Sequence, residues 1–313
     1  MAKIQLATGK IQLRKRNDGY WGYGLLLPAF ILMLVFSFYP PLVAIVYSFS
    51  NWDGFGSPSF VGLSNYASVL TNPLFWTSMV HLLIWSLLKL FFELGVPLIV
   101  ALVIYHLKSQ RAQYIYRVLF VIPMVVPGIV QLLVWSFIYD PQIGIADQVL
   151  KGLGLGGLVQ NWLGSPHVAL LSLVFVGFPF VIPFNLLIFY SGLQNIPESI
   201  FEAAQIDGVV PFTRLFKIEI PLVLGQIRLL MILTIIGLLQ NITLPLVLTD
   251  GGPGYSTYIP GLYMYTTAFS NGEYGMGLAI AMILFILVLA LTLIQVKFIR
   301  PSNEFEAGGT ARA

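Results

Sequence analysis

The chain alternates long apolar runs with short polar ones, and the runs are too long and too uniform to be the faces of soluble helices. A membrane-crossing helix needs about 20 mostly apolar residues. Segments 23–49, 79–105, 115–139, 168–193, 222–248 and 276–298 meet that length and predict six crossings. The first is too long for the apolar core of a signal peptide and no small-residue cleavage site follows it, so it reads as a retained helix. Between the fourth and fifth runs, residues 195–221 form a polar island. Glu202, Asp207, Arg214, Lys217 and Glu219 crowd into it, and lipid would not accommodate them. The island carries helix signals of its own. Pro197 suits a first helical position, and Glu198 and Glu202 favour the positive end of that helix. Ile200, Phe201 and Ala204 make a narrow apolar stripe, while Ala203 and Ala204 leave room for another surface to approach the backbone. Gly208 fits a left-handed cap, Pro211 restarts a second short helix, and Pro221 marks entry to the fifth run.

Composition agrees with lipid as the solvent. Hydrophobic residues make up 58% and charged residues 9% of 313, against about 45–50% and about 25% in soluble domains. The expected fold class is all-α integral membrane: a six-helix domain over 23–299, with tails at 1–22 and 300–313. Basic residues then orient it. Lys10, Arg14, Lys15 and Arg16 precede the first run, Lys108, Arg111 and Arg117 flank the second connection, Arg214, Lys217 and Arg228 the fourth, and Lys297, Arg300 and Arg312 the end. The alternate loops hold only Lys151. The bias puts both termini and the island on the cytoplasmic side.

Prolines and glycines interrupt three consecutive runs: Pro123, Pro127 and Gly128 in the third, Gly177, Pro179 and Pro183 in the fourth, Gly237 and Pro245 in the fifth. Each interior proline frees a backbone carbonyl, and in a membrane that carbonyl needs a partner or a wet cavity. Clustered breaks point to a binding cavity. Gln240, Asn241 and Thr243 stand beside the last of them, and neutral amides with aromatic rings suit sugar hydroxyls and C–H faces. Lys89 and Glu93 lie mid-run in the second segment, four residues apart on one helix face. They are expected to form a structural ion pair facing protein.

Other chemistries lack their residues. There is no Gly-x-x-x-x-Gly-Lys-Ser/Thr, so the chain is not expected to hydrolyse ATP itself. Cysteine is absent, His81, His106 and His167 are scattered, and a metal site is not expected. Topology, not nucleic acid, accounts for the basic N-terminal stretch.

Glu202-Ala203-Ala204, followed by Gly208, Ile218 and Pro221, resembles the EAA loop of permease subunits in bacterial ATP-binding-cassette importers. Phe60-Val61-Gly62-Leu63-Ser64-Asn65-Tyr66, Leu193-Gln194-Asn195-Ile196-Pro197, Ile206-Asp207-Gly208 and Thr249-Asp250-Gly251-Gly252-Pro253 resemble the carbohydrate-uptake branch, of the maltose-permease and glycerol-phosphate-permease type. The resemblance covers nearly the whole chain. It implies the type I importer permease fold in a bacterial inner membrane, with the island as a coupling helix that docks into an ATPase subunit. Glu202 would be its polar anchor, Ala203 and Ala204 its close-packing face, and Asp207 and Gly208 its turn. Ile218 and Pro221 would fix the return to the membrane. The implied partners are a second homologous permease, two ATPase subunits that use ATP and Mg, and an extracytoplasmic binding protein that delivers a carbohydrate. No cofactor is expected on this chain. Gln240 and Asn241 align with a sugar-contacting Asn pair of the maltose type, and Phe184 falls near an aromatic position of the matching helix. Val209, where the family usually has Ala, and His81, near a position commonly Asn, depart from the pattern. The alternative is a self-contained six-helix secondary carrier or channel, which would need ion-coupling charges along its path.

Overall fold

The computed structural model describes residues 19–298, with side chains from 23 to 297. Lys10, Arg14, Lys15, Arg16, Arg300 and Arg312, used above for orientation, lie outside the described residues. The chain forms two compact units, residues 1–46 and 47–313.

The described part of the first unit is one apolar rod. Helix α1 (Gly19–Met33) passes through a π-helical turn, Leu34–Phe38, into α2 (Tyr39–Tyr47), whose last residue opens the second unit. The turn falls just before Pro40 and Pro41, whose missing N–H groups disturb the regular ladder. Residues from Leu25 to Phe36 expose apolar side chains around the rod, Leu25 at 83% and Phe36 at 73%. A helix apolar all round faces lipid or other helices.

The second unit opens with a short antiparallel hairpin, β1 (Ser50–Asn51) paired with β2 (Ser59–Phe60). Helix α3 (Ser64–Thr71) leads into α4 (Pro73–Tyr105), 33 residues long. Asn72 caps α4 by accepting from Leu74 N at 2.9 Å, with Pro73 at the first position. Helix α5 (Gln110–Val121) runs into a 3-10 turn, Ile122–Val125, and then α6 (Gly128–Ile138) and α7 (Ile145–Gly152) follow. Helices α8 (Ala169–Phe175) and α9 (Pro183–Gln194) precede the island helices α10 (Glu198–Ile206), α11 (Pro211–Arg214) and α12 (Ile220–Leu222). The described residues end with α13 (Leu224–Gln240), α14 (Thr243–Leu248), α15 (Pro260–Tyr265) and α16 (Tyr274–Phe298).

Three of the six apolar runs are continuous helices long enough to cross a membrane: 23–47, 73–105 and 274–297. The run at 115–139 is not straight. It bends by 92° at Pro127–Gly128, because Pro127 takes an extended ψ of 137° and ends the preceding turn. The run at 168–193 is parted by residues 176–182 without helix. The run at 222–248 opens at Asn241 and Ile242, and its α13 joins the island across a 63° bend at Val223. The predicted breaks are therefore wider than kinks.

Helix α4 organises the unit. It packs most extensively along α9 and next along α13. One core joins Phe75, Leu82 and Trp85 of α4 to Leu238, Leu239, Leu262 and Ile280. A second joins Leu94, Ala101 and Ile104 to Leu186, Phe189 and Leu193 of α9 and to Val223 and Leu230. Fully burying each large aliphatic or aromatic side chain of this kind contributes about 1.5–3 kcal/mol.

Candidate functional site: polar loop and broken-helix cavity

The island forms its own local structure. Helix α10 starts at Glu198, one residue later than expected, because Pro197 keeps a non-helical ψ of 137° as the N-cap. Its end is a left-handed cap at Gly208, with φ +66°. Gly208 N donates to Gln205 O at 3.1 Å and Val209 N to Ala204 O at 2.9 Å, which closes both orphan carbonyls of a Schellman motif.

The two faces of α10 differ. Ile200 and Phe201 pack against the α4–α9–α13 core, and Ala204 is 4% exposed. Ala204 was expected to share an open face with Ala203; it is closed off by its own chain, since the stripe Ile200–Phe201–Ala204 is what holds α10 down. Glu202, Ala203, Asp207 and Gly208 remain exposed. Beside them Ile206 (86% exposed), Phe212 (73%) and Phe216 (53%) add apolar surface, with the two Phe rings 4.8 Å apart. Phe212 and Phe216 carried no expectation from the sequence, and Ile206 only that of the Ile206-Asp207-Gly208 motif. Their place on the polar side of an otherwise charged segment was the available signal. Ile218 and Pro221 are half-buried at the return to α13.

Beneath the island Glu219 is 1% exposed. Its Oε1 accepts from Arg214 Nε at 2.9 Å and faces His106 Nε2 at 3.1 Å. His106 Nδ1 lies 2.8 Å from Leu102 O. A ring with a carbonyl on one nitrogen and a carboxylate on the other is fully satisfied only as imidazolium, donating from both. The Glu219 hydrogen bond accordingly raises the His106 pKa above its ordinary 6.5, with partial burial opposing. Arg214 also stacks over Phe201, 5.5 Å from its centroid. The cluster ties the end of α4 to the base of the island.

The helix breaks of the third, fourth and fifth runs converge on one cavity of about 940 Å³. Pro123, Gly128, Gln131 and Trp135 form one wall, residues 176–183 another, and Asn241, Thr243 and Leu244 a third. Lys89 and Glu93 of α4 complete it. Each break is patched by a side chain. Gln131 Nε2 donates to Pro123 O (3.4 Å) and Val126 O (3.2 Å). Lys89 Nζ donates to Val176 O at 2.6 Å. Asn241 Oδ1 accepts from Leu244 N at 3.3 Å. Asn185 Nδ2 donates to Glu93 O at 2.8 Å, holding α9 to α4. Without such partners the freed groups would be costly in a membrane.

The wall at 176–182 is tightly turned. Gly177 and Phe180 both have positive φ, +97° and +64°, and the second is rare for a bulky residue. Left-handed backbone costs about 1–2 kcal/mol here. Phe180 holds it because its ring stacks on Phe92 at 4.7 Å and lies beneath Lys89 Nζ at 5.6 Å. The Lys89–Glu93 pair forms as expected, Nζ to Oε1 at 3.5 Å. Of the residues expected on the path, Asn241 and Thr243 line the cavity. Gln240 is exposed elsewhere and Phe184 is 44% exposed; neither is on the wall. Gln240 is the last residue of α13 and Asn241 turns to an extended ψ of 100°, so neighbours in sequence diverge. Gln131, Trp135, Phe178 and Phe180 take the place sequence reasoning gave to Gln240 and Phe184.

The motif residues at the opposite end are architectural. Asn65 Nδ2 donates to Ser48 O and Ser50 O, both at 2.9 Å, pinning the hairpin. Outside that motif, Trp162 Nε1 donates to Asp147 Oδ1 at 2.7 Å.

A profile described as "Binding-protein-dependent transport system inner membrane component" matches residues 94–301. The chain belongs to this family. This permease is 31% identical over 298 residues to the multiple sugar-binding transport system permease protein of Streptococcus mutans, covering 94% of this chain and 99% of that one. It is 32% identical to the trehalose/maltose transport system permease protein of Thermococcus litoralis (93% and 96% covered). It is 31% identical to the sn-glycerol-3-phosphate transport system permease protein of Pectobacterium atrosepticum (91% and 95% covered). Its fold superposes with a TM-score of 0.79 on a bacterial ABC transporter involved in the import of the acidic polysaccharide alginate, at 19% identity, covering 92% of this chain and 97% of that one. The permease therefore has the type I ABC importer fold and is an inner membrane component of a binding-protein-dependent transporter.

Proposed function

We propose that this permease forms half of the translocation path for a sugar or oligosaccharide, handed over by an extracytoplasmic binding protein, and that α10 is the helix through which a partner ATPase moves it. One arrangement carries the reading. Helices α4, α9 and α13 pack as a unit, and each joins the cavity to the island: α4 lines the cavity mid-helix at Lys89 and Glu93 and meets Glu219 at its end through His106. Helix α9, for example, begins at Pro183 on the cavity wall and ends at Gln194 before α10. A displacement of α10, held by Ile200, Phe201 and Ala204, is passed along rigid, close-packed helices to the cavity. The exposed Glu202, Ala203, Ile206, Asp207 and Gly208 are then the surface offered to the ATPase.

The assembly has a second, homologous permease and two ATPase subunits. ATP and Mg bind to the ATPases and not to this chain, which lacks a phosphate-binding Gly-x-x-x-x-Gly-Lys-Ser/Thr. The excess of Lys and Arg on alternate connections puts the island and both termini in the cytoplasm. ATP-driven closure of the ATPase dimer swings the helices from inward- to outward-facing, and hydrolysis resets them. Asn241, Thr243 and Gln131 supply hydrogen-bonding groups for hydroxyls, and Trp135 and Phe178 supply ring faces. Relatives that carry sugars in their names support the substrate class.

The test is association. Glu202→Lys and Ile206→Arg change exposed residues only, so the purified chain keeps its thermal stability while co-purifying ATPase falls about tenfold or more. Undiminished association in both variants would remove α10 from the interface.

A further inference from the structure

The Lys89–Glu93 pair stands on the cavity wall, and its two members are not equally available. Lys89 is 4% exposed. Its ammonium is committed to Val176 O at 2.6 Å and to Glu93 Oε1 at 3.5 Å, over the Phe180 ring. The would-be Cβ of Gly177 lies 3.9 Å from Nζ, so the 176–180 turn closes around the charge. The Glu93 side chain is 18% exposed, three times the 6% of its partner, and its Oε2 has no hydrogen-bond partner among the described residues. What the pair presents to the cavity is a carboxylate oxygen.

The remaining groups on the wall are uncharged. The Gln131 amide nitrogen is used on Pro123 and Val126 carbonyls, which leaves its oxygen as an acceptor. The Asn241 oxygen is used on Leu244 N, which leaves its NH₂ as a donor. Thr243 can do either. The free set is thus two acceptors, one donor and one hydroxyl, beside the half-buried Trp135 ring and the exposed Phe178 ring. Hydroxyls match such a set because they donate and accept. Phosphate, sulfonate and carboxylate groups only accept, and would meet Glu93 with no free cation in the cavity wall.

We propose that Glu93 is a specificity-determining residue: its free carboxylate oxygen accepts hydroxyl protons of an uncharged saccharide, and its charge excludes saccharides that carry an anionic group. Lys89 is a positioning residue that holds Glu93 and caps the broken fourth run. The proposal rests on the carbohydrate reading above and names its substrate class. It would also separate this permease from a relative named for an acidic substrate, sn-glycerol 3-phosphate. A pinned, paired Lys89 is not the free titrating group an ion-coupled carrier would need.

The chain has no cysteine, so a single Met124→Cys on the cavity wall reports occupancy cleanly. The full chain in lipid nanodiscs is labelled with a maleimide, and protection is titrated with trehalose and maltose and with trehalose 6-phosphate and maltose 1-phosphate. The neutral sugars are expected to protect at concentrations at least about tenfold lower than their phosphates. Glu93→Gln keeps the size and one acceptor but removes the charge, and is expected to erase that preference or reverse it. Glu93→Asp keeps the charge and is expected to retain it, even where affinity drops, which separates charge selection from misfolding. Equal protection by sugar and phosphate in the wild type, or unchanged discrimination in Glu93→Gln, overturns the proposal while leaving carbohydrate import standing. Protection by none of the four ligands overturns both.

Discussion

The island and the cavity solve the same problem, how to keep polar groups within an apolar protein, in opposite ways. At the island most of the solution is local, His106 on Glu219 being the long-range exception. Gly208 closes α10 with bonds to carbonyls three and five residues back, and Glu219 takes Arg214 from its own segment. At the cavity local patches at Gln131 and Asn241 are joined by remote ones. Lys89 caps a carbonyl 87 residues away, and Asn185 reaches back 92 residues to Glu93. Local solutions let the island keep its shape while its outer face is free to dock. Remote ones make the cavity a property of packing, so anything that shifts α9 against α4 alters the site. That is the physical basis on which a lever at one end changes access at the other.

Breaking a remote bond is expected to cost most. Lys89→Met orphans Val176 O and leaves the half-buried Glu93 without its counter-charge, a loss of about 3–5 kcal/mol. The double variant Lys89→Met/Glu93→Leu removes both charges and is expected to recover a large part of it. Thermal unfolding in detergent measures both; equal losses would mean the pair is not what supports the wall. Gly208→Pro comes next. Proline cannot adopt φ +66° or supply the N–H given to Gln205 O, and the cap loss is on the order of 3 kcal/mol, confined to the island. ATPase association is expected to vanish while cavity labelling at position 124 is unchanged. Loss of both together would show that the island and the cavity are not separable.

Glu219→Ala is smaller, about 2 kcal/mol, because Arg214 and His106 are partly exposed and regain water. The same cluster carries a pH dependence. His106 is raised above 6.5 in the folded protein, so its contribution is complete below 6.5 and is lost as pH rises through the higher folded value. Thermal stability is expected to decline as pH rises above 6.5, and His106→Gln is expected to flatten that decline. Asn241→Ala is the smallest change in stability, about 1 kcal/mol for a lost cap, yet it is expected to impair uptake with assembly intact. Normal uptake in that variant would take Asn241 out of the substrate path.

Much of this was readable before the fold. Runs at 79–105 and 276–298 became long helices, with boundaries shifted because Asn72–Pro73 and Tyr274 start them earlier than hydropathy does. The Gly208 cap and the breaks at Pro123, Gly177 and Pro183 were also legible, since each depends on a residue's own backbone limits. The 92° bend, the opening at residues 176–182 and the different fates of Gln240 and Asn241 were not. A proline says that a helix ends, not in which direction the chain continues.

The order of elements, the lipid-facing surface and the island's caps follow from the amino-acid sequence alone. Hydrophobic runs and φ limits act over a few residues, and those residues are adjacent on the chain. Which side of α10 stays open, and that Lys89 is pinned while Glu93 faces the cavity, were decided by tertiary packing. Those outcomes depend on distances between helices far apart in sequence, and no local preference encodes them.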